Sequence, residues 1–216
     1  MHLDYNPPTD PIEILYEDEH IVAVNKPADL LSVPGKDPHL ADCLESRLRE
    51  IYPGIQLVHR LDHATSGVMI FARTKAARRA LGIQFEKRET SKTYIAEVWG
   101  HVAAERGYVD LPIIVDWVNK PKQRVSFKHG KQSRTYFTVL ERREKTTYLR
   151  LEPYTGRTHQ LRVHALVMGH PIIGDRFYAT GDALAAADRL HLHSSELTVT
   201  HPDTGERMTF RAEPPF

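Results

Sequence analysis

The chain has 216 residues, 41% hydrophobic and 26% charged, with a formal net charge of +1. These proportions exclude wholesale disorder, collagen-like repeats and coiled-coil arrays, and the length suffices for a core that needs no disulfide or metal. The single cysteine, Cys43, excludes an intrachain disulfide framework and thiolate-rich zinc sites and fits a reducing compartment. One compact body is expected, with two small lobes as the alternative.

No run approaches the roughly 18 apolar residues of a membrane-spanning helix. The first residues lack the basic segment and apolar run of a signal peptide, so a cytoplasmic location without membrane association is expected. The near-neutral total hides an uneven distribution. Residues 1–72 hold five Lys/Arg against twelve Asp/Glu, residues 73–134 fourteen against six, and residues 135–216 ten against ten. A strongly basic middle third points to a polyanionic partner, the alternative being ordinary solvated faces.

Residues 1–11 carry three prolines and no periodicity, which predicts an extended lead-in. Two short strands are predicted at 12–17 and 20–25, with Asp18-Glu19 as the turn. Helical spacing over 41–51 places Leu44, Leu48 and Ile51 on one side, with Cys43 on the apolar part of that helix as a core residue. A strand follows at 67–72. Thr74 is a candidate cap for a helix running to about Arg88. Lys92 to Trp99 reads as a strand ended by Gly100. Residues 120–134 are basic, with the alternation Arg124-Val125-Ser126-Phe127. Strands at about 134–141 and 146–152 face each other across a charged turn. A helix is predicted from about Thr158 to Met168, stopped by Gly169 with Pro171 beyond. A short helix near 183–187 and strands at 190–193 and 208–210 close the chain. Strands outnumber helices and most joints are short, which predicts an α+β fold with a mixed, largely antiparallel sheet and flanking helices.

Two places suit chemistry. Asp62 follows the run ending in His59-Arg60-Leu61 and precedes the small polar loop Ala64-Thr65-Ser66-Gly67. A carboxylate on such a loop can face a cleft while strands hold its backbone, although an Asx-turn or strand-end cap is the plainer use. The second is Thr155-Gly156-Arg157-Thr158-His159-Gln160-Leu161-Arg162, where a glycine turn enters a helix. Arg162 beside inward-facing Leu161 can meet an anion at a buried edge, either a carboxylate or a phosphate, with a structural ion pair as the simpler reading. His159 and His164 are five apart rather than four, and His191 and His193 lack a completing carboxylate or thiolate, so no metal site is expected. Tyr94 lies on a strand, where packing is usual and base stacking is the functional option.

Taken together, these residues resemble the RluA-type RNA pseudouridine synthase family. The resemblance is carried by His59-Arg60-Leu61-Asp62-His63-Ala64-Thr65-Ser66-Gly67, by Asn25-Lys26-Pro27 with Leu30-Leu31-Ser32-Val33-Pro34-Gly35, by Lys92-Thr93-Tyr94, and by Gly156-Arg157-Thr158-His159-Gln160-Leu161-Arg162-Val163-His164 with Gly169-His170-Pro171-Ile172-Ile173-Gly174-Asp175. Further segments are similar to one member that acts on both transfer RNA and large-subunit ribosomal RNA. These are Tyr5-Asn6-Pro7-Pro8, Val98-Trp99-Gly100-His101, Asp110-Leu111-Pro112-Ile113 and Asp175-Arg176-Phe177-Tyr178-Ala179. One departure is Asp29, where the family usually has glycine; aspartate tolerates a left-handed backbone well enough for the turn to survive.

The resemblance implies the pseudouridine synthase fold, with residues 12–216 as a catalytic domain and no S4-like RNA-binding domain before Ile12. It implies isomerisation of uridine to pseudouridine in RNA stem-loops, a transfer RNA anticodon arm and large-subunit ribosomal RNA, with no cofactor, no obligate protein partner and a monomeric state. Asp62 becomes the nucleophile or base acting on the ribose, held ionised by Arg162, and Tyr94 stacks on the detached uracil. Arg60 fills the gap left by the flipped base, and His59, Lys92, Arg157 and His159 join the RNA contacts. Two rivals remain at this point: a non-catalytic RNA-binding or ribosome-assembly factor of the same fold, and a nucleoside or carbohydrate hydrolase.

Overall fold

The structure, a computed structural model, describes residues 5–216. They divide into two compact units. One holds the residues up to Lys92 together with Ser194–Pro215, the other Thr93–His193 with Phe216.

The first unit opens with strands β1 (Glu13–Glu17) and β2 (Ile21–Lys26). Asp18 makes the turn between them: its Oδ1 accepts the N–H groups of His20 (2.7 Å) and Ile21 (2.8 Å). A short 3-10 turn at Pro38–Leu40 precedes helix α1 (Leu44–Ile51). Strands β3 (Gln56–Leu57) and β4 (Ser66–Ala72) follow, then helix α2 (Lys75–Lys87). The Thr74 hydroxyl accepts the Ala77 N–H at 3.0 Å, so the predicted cap forms.

Strands β5 (Ser91–Trp99) and β11 (Leu192–Thr200) carry the chain between units, and β12 (Arg207–Arg211) closes it. In the first unit the strand order is β1-β2-β4-β11, with β12 on β11 and β3 on β4. All seven residues of β4 are buried. Its alternate residues Val68 and Ile70 join Ile21, Ala23, Ala77, Leu81, Leu197, Val199 and Phe210 in one core, so α2 covers that face of the sheet.

Two expectations for α1 fail. Leu44 and Leu48 are fully buried, but Ile51 is 58% exposed. Eight residues make barely two turns, and the last lies past the edge of the buried stripe. Cys43 is fully buried, as expected of a core residue, but it sits just before the helix and caps it. Its thiol accepts the Ser46 N–H (3.3 Å) while the Ser46 hydroxyl accepts the Cys43 N–H (2.9 Å).

The second unit contains β6 (Arg106–Asp110), the hairpin β7 (Ile113–Val115) and β8 (Gln123–Val125), β9 (Arg134–Arg142), β10 (Thr146–Pro153), helix α3 (Gln160–Val167) and helix α4 (Gly181–Ala185). Its strand order is β5-β10-β9-β6, with β7-β8 as a separate pair. The pairs β1–β2, β2–β4, β5–β10, β9–β10, β6–β9 and β11–β12 are antiparallel, as the short joints require. Gln160 through Ala165 are all buried, so α3 is enclosed over its first six residues rather than on one stripe. The base of the β7–β8 hairpin is anchored there: Ile113 packs with Val163 and Tyr178, and Val125 and Phe177 pack against them.

Candidate active site

In the first unit the loop bearing Asp62 is held from three directions. Lys26, with none of its surface exposed, ends β2 and donates to the carbonyls of Pro27 (2.8 Å), Leu30 (2.7 Å) and His63 (3.1 Å). The Ser32 hydroxyl donates to the Leu61 carbonyl at 2.7 Å. The His63 ring meets the Asp29 carbonyl at 2.8 Å. Asp29 adopts the left-handed region at φ 58°, so the turn does survive the loss of the family glycine. Thr65 N–H closes a turn onto the Asp62 carbonyl at 3.1 Å. The half-buried Asp62 carboxyl therefore projects from a backbone fixed on both sides.

His59 is turned inward. Its ring stacks on Phe85, with centroids 4.6 Å apart, and its Nε2 accepts the Ile70 N–H at 3.1 Å. Loss of water around the ring, helped by the charge of Lys92, pushes its pKa down to about 3. An Nε2 that accepts a backbone N–H has no place for a proton, so geometry gives the same neutral imidazole. Burial and the nearby Arg88 also lower the Lys92 pKa. Arg60, between two inward-facing neighbours, is exposed.

In the second unit Arg162 is 4% exposed and meets Asp175, which has no exposed surface. The contact is bidentate: Nε reaches Oδ2 at 2.8 Å and Nη2 reaches Oδ1 at 2.6 Å. The guanidinium also lies 5.1 Å from the Phe177 ring and 5.2 Å from the Tyr178 ring. His159 caps α3 with a left-handed backbone, φ 55°, and is buried. Its Nδ1 meets the Tyr178 hydroxyl at 2.8 Å, and the same hydroxyl accepts the Gln123 N–H at 2.7 Å. Arg162 and His159 are thus gathered around one aromatic pair. Arg157 remains exposed, and Tyr94 is half-buried on β5.

Behind α3, His164 bridges the Thr135 hydroxyl (2.8 Å) and the Leu111 carbonyl (3.2 Å), and burial lowers its pKa. Gln160 donates to the Arg134 carbonyl at 2.9 Å and accepts from the Thr155 hydroxyl at 2.7 Å. The Gln-Leu-Arg run thereby ties the helix start to β9 before Arg162 is reached.

Sequence reasoning did not assign Asp175, Ser32 or Tyr178. Asp175 stood in a quoted motif, and a buried arginine demands an anion, so a carboxylate directly after Gly174 was a usable signal. Lys26 was read only as a strand end. Nothing in its spacing distinguishes a buried lysine from an exposed one.

Residues 20–166 match the family model described as RNA pseudouridylate synthase. The dual-specificity RNA pseudouridine synthase RluA of Vibrio vulnificus (strain CMCP6) is 56% identical over 206 residues, spanning 93% of this chain and 82% of that protein. The protein of the same name from Escherichia coli (strain K12) is 52% identical over 215 residues, spanning 99% of this chain and 98% of its own length. Among solved structures, human RNA Pseudouridylate Synthase Domain Containing 1 superposes with a TM-score of 0.83 at 29% identity, covering 98% of this chain and 87% of the human one. With the match extending from β2 into α3, the chain belongs to the RNA pseudouridylate synthase family and is an isomerase that converts uridine in RNA to pseudouridine.

Proposed function

We propose that this enzyme is a dual-specificity synthase, acting on stem-loops of both transfer RNA and large-subunit ribosomal RNA. The observation that carries this reading is 52–56% identity, over nearly the whole chain, to proteins bearing that description. Residues 12–216 act as one catalytic domain, as a monomer in the cytoplasm. Among the described residues no helix is long and apolar enough to cross a membrane.

The reaction breaks the N1–C1′ glycosidic bond, turns the uracil and joins C5 to C1′. The C5 proton departs and N1 gains one, so substrate and product are isomers and the balance needs no redox group or phosphoryl donor. Asp62 acts on the ribose, where a carboxylate stabilises positive charge developing at the anomeric carbon. The stapled loop supports this role, because a fixed carboxylate loses little freedom at the transition state. Arg162 serves as a second catalytic group, whose charge favours the ionised form of a carboxylate. Tyr94 stacks on the released uracil and keeps it from escaping. The target base must leave the helical stack to be reached, at a cost of a few kcal/mol. Arg60, being exposed, fills the vacated place in the RNA. Phosphate contacts from the basic middle third, Lys92 among them, and from Arg157 offset the cost of flipping.

Mapping pseudouridine in both RNA classes from cells with and without the gene tests the dual reading. Loss at sites in both supports it, and loss confined to one class refutes it. Asp62→Asn separates chemistry from binding: product formation should vanish while RNA affinity stays near the wild-type value.

A further inference from the structure

Arg162 is one of the most enclosed charged groups in the second unit, and its setting is built by a single short turn. That turn begins at Gly174, whose backbone sits at φ +69°. A Cβ there would meet the Arg189 carbonyl oxygen at 1.9 Å, so the entry to the turn is fixed by main-chain packing. The next residue, Asp175, accepts donors from three residues on its carboxylate. Oδ1 takes the N–H of Phe177 (2.9 Å) and of Tyr178 (3.2 Å), and the two oxygens share the Arg162 fork. Its carbonyl accepts the N–H of Ala179 at 2.9 Å. Phe177 and Tyr178 then place their rings beside the guanidinium.

A guanidinium is planar and its donors point in fixed directions. Once Nε and Nη2 are committed side-on to Asp175, the direction of the remaining edge is set. An arginine that serves a reaction needs that edge held to within about half an ångström. A carboxylate with one oxygen locked by two main-chain donors is a suitable jig. We propose that Asp175 is a positioning residue for the isomerisation: the turn it starts fixes the orientation of Arg162, through which it acts without touching the RNA. This rests on the reading that Arg162 serves catalysis.

The test compares Asp175→Asn and Asp175→Glu with Arg162→Lys and with the double variant Asp175→Asn/Arg162→Lys. Single-turnover formation of pseudouridine in a stem-loop RNA is measured beside RNA affinity and folded fraction by circular dichroism, with rates normalised to folded protein. The expected result is a fall of tenfold or more in the single-turnover rate for both Asp175 variants, with RNA affinity changed less than threefold. The double variant should be no slower than the slower single, because both act through one guanidinium.

Glutamate retains the charge and displaces it by one methylene, so a folded Asp175→Glu enzyme at the wild-type rate overturns the proposal. So does a double variant whose losses multiply. Should neither Asp175 variant yield folded protein, Phe177→Ala keeps the ion pair and removes one flanking ring. A lowered rate at unchanged affinity then supports the proposal, and an unchanged rate overturns it. If Asp62→Asn or Arg162→Lys retains full activity, it is the assignment of the catalytic groups that has failed, and the Asp175 proposal falls with it.

Discussion

Ser32 grips Leu61 in both directions. Its hydroxyl donates to the Leu61 carbonyl at 2.7 Å and accepts the Leu61 N–H at 3.2 Å. The contact is buried and spans 29 residues of sequence, and it ends one residue before Asp62. Removing the hydroxyl leaves a buried donor and a buried acceptor without this partner, which costs about 1–3 kcal/mol. Ser32→Ala should therefore lower the denaturant midpoint. It should also slow turnover more than it weakens RNA binding, by up to about a hundredfold if the carboxylate moves by an ångström. Stability and a kcat-against-KM comparison on one preparation check this. A stability loss with unchanged kcat would show that the loop keeps its place without Ser32.

Gly67 is the last residue of the signature around Asp62, and its backbone explains its identity. It sits at φ +113°, and a Cβ would lie 2.3 Å from the Ser194 carbonyl oxygen. Strain at such a backbone and overpacking against a main-chain atom each cost about 1–3 kcal/mol. Gly67→Ala should lose roughly the sum. Gly54 is also left-handed, at φ +86°, but nothing lies within 4 Å of its Cβ position. Gly54→Ala should lose only about 1 kcal/mol, from strain alone. Chemical denaturation of the two variants side by side separates crowding from conformation.

The elements most legible in sequence were those whose signals are local. Asp18-Glu19 makes the predicted turn, Thr74 caps its helix, and β9 and β10 meet across Arg143 to Lys145. Strands β6, β7 and β8 went unread. Two of them have three residues, and β6 contains Gly107, so none shows an alternation long enough to register. The strand β11 was read only at its start. Ser194, Ser195 and Glu196 look like a polar turn, yet Ser194 is 2% exposed and its hydroxyl donates to the Val68 carbonyl. For the site, the motif residues were legible while their partners were not. Asp175 follows Arg162 by thirteen residues and a change of direction, a relation that helical or strand period cannot express.

His59 gives stability a defined acid limb. In the folded protein its pKa is pushed down to about 3 by burial, with Lys92 adding to the effect. In the unfolded chain the ring returns to about 6.5. Between those values the unfolded state binds the extra proton, so stability is lost as pH falls from about 6.5 towards 3, with a slope of at most about 1.4 kcal/mol per pH unit. His59→Gln retains an acceptor for the Ile70 N–H and removes the titration. Its unfolding free energy should depend less on pH over that window. Parallel acid limbs for wild type and variant would show that His59 titrates normally in the folded state.

The β7–β8 hairpin and the segment that follows it combine charge with exposed aromatic surface. Trp117 is 67% exposed and Phe127 81% exposed, and Lys120 lies with its Nζ 3.7 Å from the Trp117 ring centre. Lys122, Arg124, Lys128 and Lys131 surround them in sequence, and the Tyr178 hydroxyl holds the hairpin through the Gln123 N–H. Phosphate contact and base stacking leave different marks on binding. Each lysine or arginine that meets a phosphate contributes about 0.7–0.9 to the slope of log K against log salt. A stacked ring contributes affinity, about 1–3 kcal/mol per base, that salt does not alter. If the hairpin engages the stem-loop, Lys120→Ala and Arg124→Ala should each flatten the salt dependence, while Trp117→Ala should weaken binding at every salt concentration with the slope unchanged. Filter binding across a salt series measures both quantities. Wild-type affinity and slope in all three variants would place the RNA elsewhere and leave the phosphate contacts to other basic segments, such as Lys75, Arg78 and Arg79 of α2.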